Sequence, residues 1–213
     1  MKIKKIGHCC LAIETAGKTI LTDPGAFSVD QNSVTGIDVV LITHEHGDHL
    51  HVESLKEVLK NNPNTKVITN ESVGKILKEN GIVYELISDK ETKLINEMSL
   101  EAFDCKHEEI FEEIGQVQNT AFLIDNRLLY SGDSFFNPNK PVEILALPVA
   151  GPWCKIPDAV RYALSVKPKH AFPVHDGMIQ KERIGSAHNV PQKILGENDI
   201  EFYPMTDGEE LSL

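Results

Sequence analysis

Long apolar runs are absent from this 213-residue chain, and nothing in it approaches the roughly 18 consecutive apolar residues that a membrane-spanning helix needs. A basic excess is also lacking. Acidic residues number 32 against 21 basic ones, a formal net charge of −11, so the average surface repels phosphate backbones and no nucleic-acid partner is expected. Cysteine is scarce: Cys9, Cys10, Cys105 and Cys154 form no C-x-x-C pair. Neighbours such as Cys9 and Cys10 would point to opposite faces of a strand, so reduced thiols in the cytoplasm are expected rather than a disulfide framework. The segment from Met1 to His8 carries charge but no apolar stretch of signal-peptide length, which fits the same location. No Gly/Ser linker, low-complexity tract or short repeat breaks the chain, and its length predicts one domain over residues 1–213. No Ser-His-Asp or Cys-His arrangement offers itself as a nucleophile. What is present, 41% apolar and 25% charged residues, is the balance of a globular protein.

Local patterning alternates between two periods. Lys2 to Ile6, Cys10 to Glu14 and Lys18 to Thr22 read as strands, the last running into the turn Asp23-Pro24-Gly25, where Asp can bond its own backbone and Pro fixes φ. Ile37 to Thr43 is nearly all apolar, as in a strand buried on both faces. Val52 to Leu59 predicts a helix stopped by Asn62-Pro63, and a second helix, capped by Asn70 or Ser72, ends at Asn80-Gly81 after the strand Lys66 to Thr69. Strands then dominate: Tyr84 to Ile87, Ser99 to Cys105, Thr120 to Ile124 and Arg127 to Tyr130, with Asp125-Asn126 as a hairpin turn. The last third alternates again, with strands at Ile144 to Val149, Ala171 to Val174 and Glu201 to Tyr203 and helices at Asp158 to Val166 and Val190 to Leu195. This order predicts layered sheets with helices outside, an α/β architecture.

The chemistry concentrates in His44-Glu45-His46-Gly47-Asp48-His49, directly after the apolar strand. Three imidazoles and a carboxylate crowd together at a cost unless positive charge sits among them. His44 and His46 are two apart, so in an extended segment both rings face one way. Gly47 would permit a sharp bend from which Asp48 and His49 emerge on the far side. One loop can thus serve two neighbouring cation positions.

H-x-H-x-D-H after an apolar strand resembles the metal-binding signature of the metallo-β-lactamase-fold hydrolases. Gly7-His8 with Cys9-Cys10, Leu21-Thr22-Asp23-Pro24, Tyr130-Ser131-Gly132-Asp133, Leu147-Pro148 and Phe172-Pro173-Val174-His175 are similar to its ascorbate-phosphate lactonase-like branch. The resemblance implies a four-layer αββα sandwich with a metal centre at one edge, between the sheets. It implies that His44, His46 and His107 hold a first metal and that Asp48, His49 and His175 hold a second. Asp133 would bridge the two. His170 and His188 are rivals for the place of His107, which here lacks the Thr-Pro-Gly-His lead-in of many superfamily members; His51 would face solvent. Asp23, and less directly His8, would orient the metal-bound imidazoles from behind, as such rings usually donate their other N–H. The loop Ala150 to Lys155 would border the pocket, with Trp153 as a wall and Lys155 meeting an anionic substrate; Trp153 could equally fill core space.

Two divalent ions are therefore expected, zinc by ligand type, with manganese or iron also compatible. They would share a hydroxide that attacks a small lactone, amide or phosphoester, and Asp48 or a bound water would relay a proton to the leaving group. An iron-dependent oxidoreductase of the same fold is a second reading, opposed by His46, where the diiron oxygen-reducing type carries Glu. A non-catalytic metal or ligand sensor is a third. A small molecule is the expected partner, while oligomeric state is not legible from sequence.

Overall fold

The computed structural model describes all 213 residues. Two seven-stranded sheets face each other. The first has the order β14(Glu210–Ser212), β1(Lys2–Gly7), β2(Cys10–Thr15), β3(Lys18–Thr22), β4(Val39–Ile42), β5(Lys66–Thr69) and β6(Glu85–Leu86). The second runs β13(Glu201–Phe202), β12(His170–Val174), β11(Ile144–Pro148), β10(Leu128–Tyr130), β9(Gln118–Ile124), β8(Met98–Lys106) and β7(Thr92–Ile95). Each sheet is antiparallel on one side and parallel on the other, with β3, β4, β5 and β6 parallel in the first and β10, β11, β12 and β13 in the second.

The layers follow from which faces are apolar. Leu11, Ile13, Ile20 and Leu41 of the first sheet meet Leu100, Phe122 and Phe172 of the second in the core between them. On the outer face of the first sheet, α1(Val52–Asn61) and α2(Glu71–Glu79) bury Leu55, Val58, Val73 and Leu77 against Cys10, Val40 and Val67. On the outer face of the second, α3(Ile156–Val166) and α4(Gly185–Gly196) bury Ala159, Ala163 and Leu195 against Leu145, Ala171 and Phe202. The result is the expected αββα sandwich. Cys9 belongs to the inner core and Cys10 to the outer one, opposite faces as predicted, and all four cysteines are free. No helix is long and apolar enough to cross a membrane.

Several details differ from the sequence reading. The edge strands β7 and β14 were not anticipated, because each is short and half-exposed and buries no side chain fully. α4 begins at Gly185 rather than near Val190, and Pro191 lies inside it instead of at its start. His51, by contrast, faces solvent as expected and precedes α1 as its N-cap, accepting from the Ser54 N–H.

Candidate metal centre

Strand ends of both sheets converge at one edge. β3 delivers Asp23, β4 delivers Thr43 and His44, β8 delivers His107, β10 leads to Asp133, and β12 leads to His175. Carboxyl ends of parallel strands are where open α/β sheets place their ligands, and β8 joins them because two antiparallel pairings give it the direction of β10.

Between β4 and α1 the histidine-rich segment folds into a tight loop in which the His49 and Leu50 amides both donate to the His46 carbonyl, at 2.9 and 2.8 Å. Gly47 was expected to make this bend possible. In fact it has open space where a Cβ would stand and no left-handed φ. The glycine that the loop requires is Gly25, whose Cβ would lie 1.8 Å from the Asp48 carbonyl oxygen. The Asp23-Pro24-Gly25 turn is thus the bed on which Asp48 and His49 rest. Gly132 is constrained likewise: its φ is +57°, and a Cβ would stand 2.3 Å from Asn119 Oδ1, which instead accepts from the Asp133 amide at 3.1 Å.

Four ring orientations are fixed from behind. His49 donates through Nδ1 to Asp23 Oδ2 (2.7 Å), His175 to the Ala150 carbonyl (2.6 Å) and His107 to the Glu108 carbonyl (2.6 Å). His44 Nδ1 donates to Thr43 Oγ1 (3.0 Å), whose own proton goes to Asp23 Oδ2 at 2.7 Å. With every Nδ1 committed as a donor, each Nε2 turns its lone pair into the same volume. The Nε2 atoms of His44, His49 and His175 and Oδ1 of Asp133 are buried there without a hydrogen-bond partner. Native interiors rarely leave such atoms unmatched, and a set of lone pairs aimed at one volume matches a cation.

The donors fall into two groups, each with ligand atoms within 4.8 Å of one another: His44, His46, His107 and Asp133, and Asp48, His49, Asp133 and His175. Asp133 belongs to both. Its Oδ2 lies 2.9 Å from His175 Nε2 and 3.1 Å from His107 Nε2, and its Oδ1 lies 2.9 Å from His49 Nε2. A third group, His8, Cys9, His49 and His175, adjoins the second.

Electrostatics reinforce this geometry. Burial alone would push the Asp133 carboxyl up, but the charges of His49 and His175 hold it well below the usual carboxylate range. Reciprocally, burial opposes protonation of His49 and His175, yet the Asp133 charge raises both well above an ordinary histidine. Burial, then the charge of His49, pushes His44 well below. Protons and metal ions therefore compete for the same Nε2 atoms.

All seven predicted ligands meet at this edge. His170 sits instead at the start of β12 beside Glu201, and His188 lies on the buried face of α4 with its Nε2 2.9 Å from Asp176, so neither reaches the donors. Asp23 lies behind His49 as anticipated, and His8 approaches Asp48, its Nε2 3.3 Å from Oδ2 while its Nδ1 accepts from the Gly177 amide. A cavity of about 420 Å³ opens over the donors, with His46, Asp48, His107, Asp133 and His175 on its floor. Trp153 walls it and donates from Nε1 to Asp133 Oδ2 at 3.1 Å. Lys155 does not line it; it is exposed and precedes α3 at the N-cap position, without a side-chain capping bond.

Sequence reasoning also missed supporting groups. Tyr130 was read only as a strand residue, yet its hydroxyl donates to Asp23 Oδ2 at 2.5 Å. Lys5, fully buried, reaches both Asp176 oxygens at 2.7 Å. A lysine in an alternating strand gives no signal that it will be buried; the one available hint was that Asp176 follows His175.

Residues 2–175 match the β-lactamase superfamily domain. The chain belongs to that superfamily. A Mycobacterium tuberculosis protein is 32% identical over 190 residues, covering 87% of this chain and 88% of its own length. A UPF0173 metal-dependent hydrolase from Geobacillus thermodenitrificans is 45% identical over 75 residues, 33% of this chain and 32% of its own. Among solved structures, a metallo hydrolase from Ignicoccus hospitalis superposes with a TM-score of 0.77 at 18% identity, over 99% of this chain and 97% of that one. The superfamily's metallo-β-lactamase fold is the sandwich described above.

Proposed function

We propose that this metal-dependent hydrolase of the metallo-β-lactamase fold holds two divalent ions and cleaves an ester-like bond in a small molecule. The observation that carries the reading is the set of Nε2 lone pairs, each fixed by an Nδ1 donor, turned together with both Asp133 oxygens into one buried volume. His44, His46 and His107 would hold one ion, Asp48, His49 and His175 the other, and Asp133 both. Zinc suits this mixture of imidazole and carboxylate, and manganese or iron is compatible with it. Bound there, such ions make hydroxide available from water near neutral pH and accept negative charge that develops on a substrate oxygen.

The chain's own groups do the rest. Asp133 is held ionised by His49 and His175, so it stays a carboxylate while one oxygen also accepts from Trp153. Asp48, at the cavity floor, is likewise held well below the usual range against its burial, by His175 and His8. Its Oδ2 accepts from His8 Nε2 and is the acceptor we assign for the proton leaving the attacking water. Asp48 itself passes that proton to the leaving group, while His8, buried with Nε2 on Asp48 and Nδ1 accepting from the Gly177 amide, holds the carboxylate in place. His46 in place of Glu disfavours oxygen chemistry.

Elemental analysis of protein purified without chelators, with turnover of generic lactone and bis-phosphoester substrates on the same sample, tests this. About two metals per chain with chelator-sensitive turnover is the expected result. One metal or fewer after reloading with zinc and manganese would sink the two-ion reading.

A further inference from the structure

We infer that the substrate is an uncharged carboxylic ester or lactone carrying an apolar chain, and that Phe27, Ile110 and Met178 select it. This rests on the hydrolase reading above and concerns the space over the donors. No lysine or arginine lines the cavity; beyond the donor groups its walls are Ala26, Phe27, Ile110, Pro152, Trp153 and Met178. Away from the metal positions, a phosphate or carboxylate on the substrate would have no cationic side chain to meet. It would also face the acidic loop after His107, where Glu109, Glu112 and Glu113 are exposed. Sequence resemblance to the ascorbate-phosphate lactonase-like branch points toward an anionic substrate, and the lining of this cavity points away from one.

The apolar rim is left largely in solvent. Phe27 is 51% exposed, Met178 46% and Ile110 36%. They come from three separate segments: the loop after β3, the loop after His107 and the loop after His175. Large apolar side chains are left in water at a cost, and a contiguous set around a cleft marks a binding surface. Two of the three are positioned rather than loose. The Phe27 ring packs edge-on to His8 at 5.1 Å, and the turn at Gly115 (φ +81°) closes on Ile110, where a Cβ would come within 2.5 Å of its Cδ1. Phe111 and Ile114, also exposed, extend the same loop outward. About 420 Å³ accommodates a medium-length chain once the scissile group sits over the donors.

Trp153 is the only tryptophan in the chain and it lines this cavity, so its fluorescence reports occupancy without any chemistry. The metal-loaded protein is titrated with 1-butanol, 1-hexanol and 1-octanol. Affinity for the alcohols should rise about threefold per methylene, somewhat under the full burial value. Phe27→Ala and Met178→Ala should each flatten that slope. In parallel, kcat/KM is measured for p-nitrophenyl acetate, butanoate and octanoate, and for bis-p-nitrophenyl phosphate. A rise with chain length carried by KM, and a phosphodiester turned over at least a hundredfold more slowly, is expected. Alcohol affinities independent of length overturn the inference. Esters hydrolysed with no gain from chain length overturn it while leaving the hydrolase standing. Length-dependent alcohol binding with no ester or phosphate cleaved sinks the hydrolase reading and leaves the apolar pocket.

Discussion

Replacing Asp23 by Asn tests whether metal affinity is set from behind the ligands. Asp23 is fully buried and touches no part of the cavity. Its Oδ2 accepts from His49 Nδ1, Thr43 Oγ1 and Tyr130 OH, and its Oδ1 accepts from the Thr43 amide at 2.8 Å. An asparagine keeps the three Oδ2 bonds only by setting its NH2 against the Thr43 N–H, donor against donor. The loss is one buried bond to a charged acceptor and one stranded amide, about 1.5–3 kcal/mol of stability. His49 also loses the carboxylate that makes its Nε2 electron-rich. Groups of this kind are worth about 10–100-fold in metal affinity. Asp23 also helps His49 hold a proton, so the variant loses some competition from protons and the net effect belongs near the lower end, about 10-fold. Chelator competition on wild type and Asp23→Asn, with thermal melting of both metal-free proteins, measures the two effects separately. Tyr130→Phe is the control: it removes one donor to Asp23 but leaves His49 untouched, so it should cost about 1 kcal/mol of stability and less than threefold in metal affinity. Wild-type affinity in Asp23→Asn, or equal losses in the two variants, would refute the argument.

His107→Ala should reduce bound metal from two ions per chain towards one, as found by elemental analysis after dialysis; full retention of both would remove His107 from the first position. Gly25→Ala should destabilise the protein by about 3 kcal/mol or more and lower metal content, because its Cβ would overlap the Asp48 backbone. Gly47→Ala, in the motif itself, should cost less than about 1 kcal/mol and keep its metals, so the reverse ranking by melting and metal analysis would contradict the packing described. Burial pushes the Asp176 carboxyl up, but His188 and Lys5 pull it below its ordinary value. A depressed carboxylate stabilises the fold above its unfolded value near 4, and that contribution disappears as pH falls through the lower folded value. Wild-type protein should therefore lose stability steeply below about pH 4. Asp176→Asn, which strands Lys5 and costs about 3–5 kcal/mol at neutral pH, should show a shallower acid dependence in urea melts. Parallel acid limbs would rule the ion pair out as their cause.

What could be read in the sequence was what repeats or clusters locally. The all-apolar β4 and β11, the helix stop at Asn62 and the hairpin turn at Asp125-Asn126 each carry their signal within a few residues, and each stands within a residue or two of its expected place. The motif loop was legible for the same reason. Gly25 escaped notice as a packing residue because its constraint comes from Asp48, over twenty positions away. Lys155 misled because a lysine beside a pocket-bordering tryptophan reads as a substrate contact until the start of α3 turns it outward. Lys5, Asp176 and His188 are far apart in sequence, and only the closing of both sheets at their edges brings them together.

That buried trio also bears on how the site keeps its shape. His8, Asp23 and His175 all have left-handed backbone, with φ of 50°, 34° and 61°, a conformation that costs non-glycine residues about 1 kcal/mol or more each. All three lie at strand ends facing the donors, where a relaxed backbone would swing the side chain away from them. Each is held by bonds that the relaxed form would break. Asp23 accepts four donors, and His8 accepts from Gly177, whose Cβ would stand 2.9 Å from the His8 Cβ. His175 is followed at once by Asp176, which Lys5 and His188 clamp from β1 and α4. The carboxylate network under the second metal position thus acts on the backbone, while Asp23 acts on a ring. Loosening Asp176 should therefore disturb the placement of His175 and weaken that position more than the one built on His44, His46 and His107, a difference that stepwise metal titration of Asp176→Asn resolves. Equal weakening of both steps would show that the network supports the fold as a whole rather than this strand end.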